Sequence, residues 1–415
     1  MSFLYNFLII TASLILRIAA LFNSKLALFV SGRKETLSIL QNNISKNDRI
    51  IWIHAASLGE YEQGLPVMEK LKINFPDHKI LLTFFSPSGY EVKKNSIVAD
   101  ITCYLPLDIK RNVASFIEAV KPELAIFVKY EIWPNYLAAL KNNNTPTILI
   151  SALFKENQVY FKWYGAFMRK ALTRFSHFFV QNEKSYSLLN KIGFTNVTVA
   201  GDTRFDRVSE IVERDNTLNF MTRFKQDRFC FVSGSTWPED EKIITDYINQ
   251  NELSIKFIIA PHTIKTKNIE SIKNAVTKRT ICYSELKDSR LEDFDVLIID
   301  TIGLLTKIYS YADVAYVGGA FGTGLHNTLE PAVFGIPVII GPQFNGFAEA
   351  EHLVSLKGVI PINNSAEFQL QLNTYYSDEN LKKETGQINY NYVLEQKGAT
   401  HKIMTYVNSI LSKTS

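Results

Sequence analysis

Short apolar runs alternate with polar loops and amphipathic segments along most of this chain. In the first half, the apolar runs occupy residues 49–54, 79–85, 102–107, 124–128, 147–150, 177–180 and 197–200. Runs of this length are typical of buried strands, and the amphipathic segments between them are typical of helices. The alternation predicts an α/β fold with a doubly wound parallel sheet.

The second half repeats this architecture after a polar interval. Apolar runs return at residues 229–233, 255–260, 296–299, 314–317 and 336–340. The pattern predicts a first Rossmann-like domain at 35–207, a linker at 208–228, a second Rossmann-like domain at 229–385, and a C-terminal helix at 386–415 that can pack back on the first domain. Two such domains with their strand-end loops facing one cleft form the GT-B layout.

The N-terminal segment has a different pattern. Phe3 to Leu16 holds no charged residue, Arg17 interrupts the run, and Ile18 to Phe22 continues it; the basic residues Lys25, Arg33 and Lys34 follow. No cleavage signal of a secreted protein is clear. The pattern predicts a membrane anchor at residues 1–34, either spanning or interfacial, with its basic flank in the cytoplasm. The alternative is a buried N-terminal helix of the soluble body.

Composition excludes several classes of protein. A net charge of +4 over 415 residues gives no case for nucleic-acid binding. The three cysteines, Cys103, Cys230 and Cys282, lie far apart, so they predict neither a disulfide framework nor a metal site. A reducing cytoplasm fits this cysteine usage best. We expect no metal and no cofactor, and the sequence indicates no protein partner.

A glycine-rich turn between two apolar runs is the strongest candidate for a ligand site. The run 314–317 ends in Gly318-Gly319, Gly322 and Gly324 follow, and a helix start comes next with the residues Asn327, Thr328, Leu329, Glu330 and Pro331. Glycines allow the backbone to approach a phosphate closely, and a carboxylate can accept hydrogen bonds from ribose hydroxyls. The turn predicts a nucleotide-sugar site; the alternative is an ordinary tight turn.

Two loops of the first half also carry candidate chemistry. Ser57-Leu58-Gly59-Glu60 follows the run 49–54 and precedes a helix, so Glu60 lies at the edge of the sheet where open α/β folds bind ligands. A carboxylate there suits a general base, and the alternative is a helix cap. Residues 129–135 follow another predicted strand and combine Glu131 with aromatic side chains, which suits sugar binding; the alternative is a loop packed by Trp133.

Four of these segments resemble, in the same order, motifs of the 3-deoxy-D-manno-octulosonic acid (Kdo) transferases. They are Ala55-Ala56-Ser57-Leu58-Gly59-Glu60, Tyr130-Glu131-Ile132-Trp133-Pro134-Asn135, Gly201-Asp202-Thr203-Arg204-Phe205-Asp206, and the turn from Val317-Gly318-Gly319 to Pro331. The resemblance covers nearly the whole chain. It implies a GT-B enzyme that transfers Kdo from CMP-Kdo to the lipid A precursor (lipid IVA) at the cytoplasmic face of the inner membrane, in lipopolysaccharide biosynthesis.

The resemblance also implies roles for individual residues. Glu60 resembles the general base, and Glu131 and Arg204 resemble the two positions that stabilise the transition state. The segment Asn327-Thr328-Leu329-Glu330 resembles the CMP-binding turn. The CMP-binding positions continue at two further places where this chain departs from the common pattern: Pro261-His262 stands where Pro-Arg is usual, and Ile302-Gly303-Leu304 stands where Met-Gly-Glu is common.

Two further residues depart from the common family pattern. Arg204 stands where most members have lysine, and Trp237 stands where histidine is usual.

Two rival functions are compatible with the sequence. One rival is another GT-B enzyme, such as a UDP-sugar transferase or a sugar-nucleotide epimerase. The other is a membrane-anchored nucleotide-binding protein without activity.

Overall fold

Within the described residues, 2–287 and 289–412, each half of the chain is centred on a seven-stranded parallel sheet. The structure is a computed structural model. The chain divides into two compact units, the first formed by Met1–Arg207 with Lys397–Ser415, and the second by Val208–Gln396. Two parallel-sheet α/β domains were predicted from the alternation of apolar runs, and this part of the fold prediction is confirmed.

The sheet of the first unit has the strand order β3-β2-β1-β4-β5-β6-β7. Its strands are β1 (Arg49–Ala55), β2 (His78–Phe84), β3 (Ile101–Tyr104), β4 (Leu124–Val128), β5 (Thr147–Ala152), β6 (His177–Val180) and β7 (Val197–Val199). The helices up to the end of this unit are α1 (Ser2–Ala19), α2 (Ser24–Gly32), α3 (Thr36–Asn43), α4 (Leu58–Asn74), α5 (Pro87–Lys93), α6 (Lys110–Val120), α7 (Pro134–Asn142), α8 (Ala166–Leu172), α9 (Glu183–Lys191) and α10 (Thr203–Glu213). Helices cover both faces, so the central strands are buried on both sides and read as continuous apolar runs.

The sheet of the second unit has the order β10-β11-β9-β8-β12-β13-β14. Its strands are β8 (Phe229–Thr236), β9 (Ile255–Pro261), β10 (Thr280–Cys282), β11 (Val296–Ile298), β12 (Val314–Val317), β13 (Val338–Ile340) and β14 (Val359–Pro361). Its helices are α11 (Asn219–Lys225), α12 (Pro238–Gln250), α13 (Thr266–Ala275), α14 (Leu305–Ile308), α15 (Leu329–Ala332), α16 (Ala348–Ser355), α17 (Ser365–Ser377) and α18 (Glu379–Glu395). The last helix of the chain, α19 (Ala399–Leu411), belongs to the first unit.

Each sheet has a point where the strand order reverses direction. In the first sheet, β1 lies between β2 and β4, and in the second sheet β8 lies between β9 and β12. In doubly wound sheets, ligands bind outside the carboxyl ends of the strands at such a point. The loops after β1 and β4 and the loops after β8 and β12 are therefore the places where the topology itself predicts binding.

The segment predicted as a linker, residues 208–228, contains regular structure. Helix α10 continues through it to Glu213, and Met221 and Phe224 of α11 are buried in the core of the second unit. The region predicted as a single C-terminal helix contains the end of α18 and the whole of α19. The two helices are separated at Gly398, which adopts a left-handed conformation with φ of 116°. Helix α19 then packs its apolar side, which includes Ile403 and Val407, into the core beneath α4.

The apolar N-terminal run forms α1, and α2 begins after a break at which Asn23 caps its first amides. Among the described residues, no helix combines the length and the apolar character needed to cross a bilayer. Helix α1 is attached to the first unit through Tyr5, whose hydroxyl donates to Asp108 Oδ2 at 2.8 Å. Its remaining apolar side chains are largely exposed, including Phe3, Ile15 and Ile18.

Candidate active site

Glu60 lies in the first turn of α4, directly after the carboxyl end of β1. The hydroxyl of Ser57, the residue that precedes the helix, donates a hydrogen bond to Glu60 Oε2. This hydroxyl fixes the direction of the carboxylate, which is half-buried. The arrangement provides an oriented carboxylate that solvent and ligands can reach.

Glu131 lies after β4, the neighbour of β1 at the switch point of the first sheet. Its Oε2 accepts hydrogen bonds from Trp133 Nε1 at 2.8 Å and from His54 Nε2 at 3.0 Å. His54 is fully buried in β1, and its Nδ1 lies 2.9 Å from the hydroxyl of Thr83. Both hydrogen bonds fall on the same oxygen, so Oε1 of Glu131 accepts none from the part of the chain that the structure describes.

Arg204 lies in the first turn of α10 and is held by Asp202. Its Nε and Nη2 lie 3.0 and 2.8 Å from Asp202 Oδ2, and its backbone amide donates to Oδ1 at 3.0 Å. Gln63 of α4 donates to the same Oδ2 at 3.0 Å. Because Gln63 lies one turn after Glu60, this contact ties Asp202 and the start of α10 to the helix that carries Glu60.

The pKa of the Tyr130 hydroxyl depends on several of these charged side chains. Burial raises its pKa, the carboxylates of Glu60 and Asp202 raise it further, and Arg204 lowers it. One hydroxyl at the end of β4 therefore lies within electrostatic reach of both Glu60 and Arg204. The structure thus brings the predicted residues Glu60, Glu131 and Arg204 to the same edge of the first sheet.

Three non-glycine residues near strand ends adopt left-handed backbone conformations. Their φ angles are 63° for Lys129 after β4, 49° for Ser151 in β5 and 53° for Ser235 in β8. Such conformations cost of order 1–3 kcal/mol each and persist where the surrounding structure enforces them, as at binding sites. Their positions coincide with the edges at which the predicted site residues lie.

In the second unit, Asp240 organises the glycine-rich turn. This fully buried carboxylate in the first turn of α12 accepts hydrogen bonds from the hydroxyl of Tyr316 at 2.6 Å and from the amides of Gly319 and Trp237, each at 2.9 Å. Burial raises the pKa of Asp240, and these donors oppose the shift. A Cβ added at Gly318 would lie 2.5 Å from the carbonyl oxygen of Ser235, so only glycine fits there.

Residues 327–330 form a compact polar cluster after this turn. Asn327 Oδ1 accepts from the amide of Leu329 at 3.1 Å, and Asn327 Nδ2 donates to Glu330 Oε1 at 3.2 Å. The hydroxyl of Thr328, the residue that precedes α15, is buried and finds no hydrogen-bond partner among the described residues. An unsatisfied buried hydroxyl is costly, and a bound ligand would remove that cost.

The helix that directly follows the loop at residues 302–304 contacts this cluster. Thr306 of α14 donates to Glu330 Oε2 at 3.3 Å. Gly303 has a left-handed φ of 94°, whereas the side chain of Ile302 is 84% exposed. A contact from this loop to a ligand would therefore be made by backbone or by Leu304 rather than by Ile302.

Pro261 ends β9, and His262 after it belongs to an aromatic stack. The ring of His262 lies 4.6 Å from the rings of Trp237 and His326, nearly parallel to the first. Trp237 Nε1 donates to His326 Nε2 at 3.1 Å, which places the proton of neutral His326 on Nδ1. Since His326 adjoins Asn327, the stack links the loops after β8, β9 and β12.

The pKa of His326 is lowered to about 4 by burial and by the nearby His262. Unfolded histidine binds a proton near pH 6.5, so the unfolded chain takes up more protons than the folded chain between about pH 4 and pH 6.5. We therefore expect the free energy of unfolding to fall as the pH is lowered through this range. In urea titrations at several pH values, His326→Gln should show a smaller fall than the wild type; an equal fall in both would contradict this pKa.

Sequence reasoning missed the contacts of four residues that hold these sites together. Asp240 was not among the candidate site residues, and Asp202 was named only within a motif. The partnership of Trp237 with His326 joins residues far apart in sequence and gives no local signal. Among the described residues, no three His, Cys, Asp or Glu side chains gather as metal ligands.

Comparison with known proteins identifies relatives across most of the chain. A family model described as 3-deoxy-D-manno-octulosonic-acid transferase (kdotransferase) matches residues 31–207, which lie in the first unit. The 3-deoxy-D-manno-octulosonic acid transferase of Haemophilus influenzae is 26% identical over 381 residues, covering 88% of this chain and 87% of that protein. The protein of the same name from Aquifex aeolicus is 29% identical over 341 residues, covering 80% of this chain and 87% of its own.

Solved structures share the architecture at lower identity. A UDP-GlcNAc 2-epimerase from Neisseria meningitidis, bound to UDP-GlcNAc, matches with a TM-score of 0.60 at 15% identity, covering 88% of this chain and 100% of that one. MurG from Acinetobacter baumannii matches with a TM-score of 0.55 at 12% identity, covering 87% and 99%. These likenesses concern the fold, which is that of the GT-B enzymes.

Proposed function

Because this chain belongs to the 3-deoxy-D-manno-octulosonic acid (Kdo) transferase family, we propose that it transfers Kdo from CMP-Kdo to the lipid A precursor, lipid IVA. Members of this family are glycosyltransferases, and the sequence relatives named above carry the transferase name. The observation that carries the proposal is the grouping of Glu60, Glu131 and Arg204 at one edge of the first sheet, within the segment that the family model matches.

In this reaction, Glu60 acts as the general base. The acceptor hydroxyl gives its proton to the Glu60 carboxylate, and its oxygen attacks the anomeric carbon of Kdo. The bond from that carbon to the phosphate of CMP breaks, CMP leaves with the bonding electrons, and the configuration inverts. The hydrogen bond from Ser57 supports this role because it holds the carboxylate in a fixed orientation.

Glu131 and Arg204 stabilise charge that develops in the transition state. The reacting sugar gains positive character, which a carboxylate such as Glu131 stabilises, and the departing phosphate gains negative charge, which Arg204 stabilises. The buried histidine and the tryptophan that hold Glu131 leave one of its oxygens for the sugar. Asp202 compensates part of the charge of Arg204 and fixes its side chain.

The second unit binds the CMP-Kdo donor. The turn from Asn327 to Glu330, with Pro261-His262 and Ile302-Gly303-Leu304 beside it, forms the CMP site. Glu330 accepts hydrogen bonds from the ribose, and the unpartnered hydroxyl of Thr328 supports a ligand contact at this turn. CMP carries a single phosphate, so amides and basic side chains can meet its charge, and we propose that transfer needs no metal.

The product of the reaction tests this function directly. After incubation with CMP-Kdo and lipid IVA, mass spectrometry of the lipid is expected to show the added mass of Kdo, also in the presence of a chelator. CMP is expected to raise the melting temperature and UDP is not. Stabilisation by UDP without a Kdo-bearing lipid would favour the rival UDP-sugar transferase or epimerase, and CMP binding without product would favour a nucleotide-binding protein without activity.

We propose further that α1 lies in the interface of the inner membrane, at its cytoplasmic face. Ile15 and Ile18 are 61% and 63% exposed and lie on one side of the helix, which otherwise carries only Arg17 as a charge. Exposed apolar residues with a basic flank are typical of interfacial helices. This placement would bring the first unit to a lipid acceptor.

Replacing Ile15 and Ile18 together by glutamate is expected to move the protein from sedimented vesicles into the supernatant, because charged side chains disfavour insertion between head groups and chains. Sedimentation with synthetic lipid vesicles measures the distribution. Ile97, which is 95% exposed in another part of the first unit, provides the matched control, and Ile97→Glu should leave binding unchanged. Undiminished sedimentation of the double variant would show that another surface makes the main contact.

A further inference from the structure

A cavity of about 340 Å³ lies between α1, α2 and the loop that follows β3. Among the described residues that line it, the charged ones are Arg17, Arg33 and Lys34, all cationic. Apolar side chains, including Leu16, Phe29 and Leu107, form much of the remaining wall. The catalytic scheme above uses none of these residues.

Arg33 is the unusual member of this group. Its Nη1 and Nη2 donate to the carbonyl oxygens of Phe29 and Phe85 at 2.7 and 2.5 Å, and its guanidinium lies 3.5 Å from the centre of the Phe29 ring. Its Nε is buried and has no hydrogen-bond partner in the part of the chain that the structure describes. Burial lowers the pKa of Arg33 to about 9.

No carboxylate within residues 2–287 and 289–412 forms an ion pair with Arg17, Arg33 or Lys34. A partly buried arginine without a carboxylate is costly, and an anion in the cavity would lower that cost. A guanidinium also offers the geometry that suits phosphate oxygens.

We propose that this cavity binds the phosphate head group of an anionic bilayer lipid, with the lipid chains lying along α1. Charge complementarity selects the anion, and the apolar wall together with the exposed apolar side of α1 selects an amphiphile over a free anion. The proposal rests on the membrane-surface location of α1 proposed above and not on Kdo transfer. The lipid-binding test contains neither CMP-Kdo nor lipid IVA, so failure of lipid binding would leave the Kdo-transfer proposal unaffected. Failure of Kdo transfer would likewise leave the lipid-binding proposal unaffected.

A short-chain, water-soluble phosphatidylglycerol tests the site on the full chain in the absence of vesicles. We expect it to raise the melting temperature in a saturable manner, and phosphatidylcholine of the same chain length to have a much weaker effect. Arg17→Gln and Lys34→Gln should each weaken binding about fivefold, as expected from roughly 1 kcal/mol for each basic residue near an anionic lipid. Both side chains reach solvent, so these variants should fold.

Lys25→Gln is the matched control. Lys25 is an exposed cation at the start of α2 and does not line the cavity. Equal weakening by Lys25→Gln and by Lys34→Gln would mean diffuse attraction rather than a site, and would overturn the proposal. Equal binding of phosphatidylcholine would also overturn the proposal, because the cavity would then not select an anionic head group. Equal stabilisation by inorganic phosphate, with the same dependence on Arg17 and Lys34, would overturn it too, because the lipid chains would then contribute nothing to binding.

Discussion

Replacing Glu60 by glutamine is expected to reduce Kdo transfer by about 10²–10⁴-fold, the usual contribution of a general base, while CMP-Kdo binding remains. The amide keeps the size and can still accept the hydrogen bond from Ser57, so the first turn of α4 should be preserved. It cannot take the proton of the acceptor hydroxyl. The loss should therefore appear in kcat, with little change in the Michaelis constant for the donor.

Initial rates of CMP release in the presence of lipid IVA measure the effect, and calorimetric titration measures donor binding. Glu69→Gln is the matched control, because it makes the same chemical change on the same helix, well over two turns further along α4. It should transfer Kdo at the normal rate. Near-normal turnover of Glu60→Gln would remove Glu60 from the role of base, and loss of donor binding in this variant would point to a structural effect.

The sequence predicted the sheet architecture because local patterns encode it. The strands β4, β6 and β12 have the predicted bounds, since each is an apolar run between polar residues. Strands β10 (Thr280–Cys282) and β14 (Val359–Pro361) were not predicted: a threonine begins the first and a proline ends the second, so neither three-residue strand stands out as an apolar run. Candidate site residues such as Glu60 and Glu131 could be predicted because a loop after a buried strand is itself a local feature.

The contacts that hold the site together could not be predicted in this way. His54 meets Glu131 because β1 and β4 are neighbours in the sheet, and strand order is a property of the whole fold. The stack of Trp237, His262 and His326 depends on three strand ends meeting at one edge. By contrast, the break between α1 and α2 had a local signal in Asn23, a favourable N-cap residue directly after the apolar run.

We expect the replacement of Asp240 by alanine to lower the stability of the second unit strongly. In Asp240→Ala, the hydroxyl of Tyr316 and the amides of Gly319 and Trp237 lose their common acceptor. Each buried donor left unpaired costs roughly 1–3 kcal/mol, so we expect a loss of about 3 kcal/mol or more. For a unit of this size, that corresponds to a melting temperature lower by roughly 6–12 °C.

The same variant should weaken CMP-Kdo binding more than tenfold at temperatures where it is still folded, because Asp240 joins the loop of Trp237 to the glycine-rich turn. Scanning calorimetry and donor titration measure the two effects. Glu239→Ala removes the same charge from the same helical turn, but Glu239 is exposed, so both quantities should stay near the wild-type values. Asp240→Asn keeps an acceptor oxygen and should fall between the two. If Asp240→Ala matched Glu239→Ala in melting temperature and donor affinity, Asp240 would have no positioning role in the donor site.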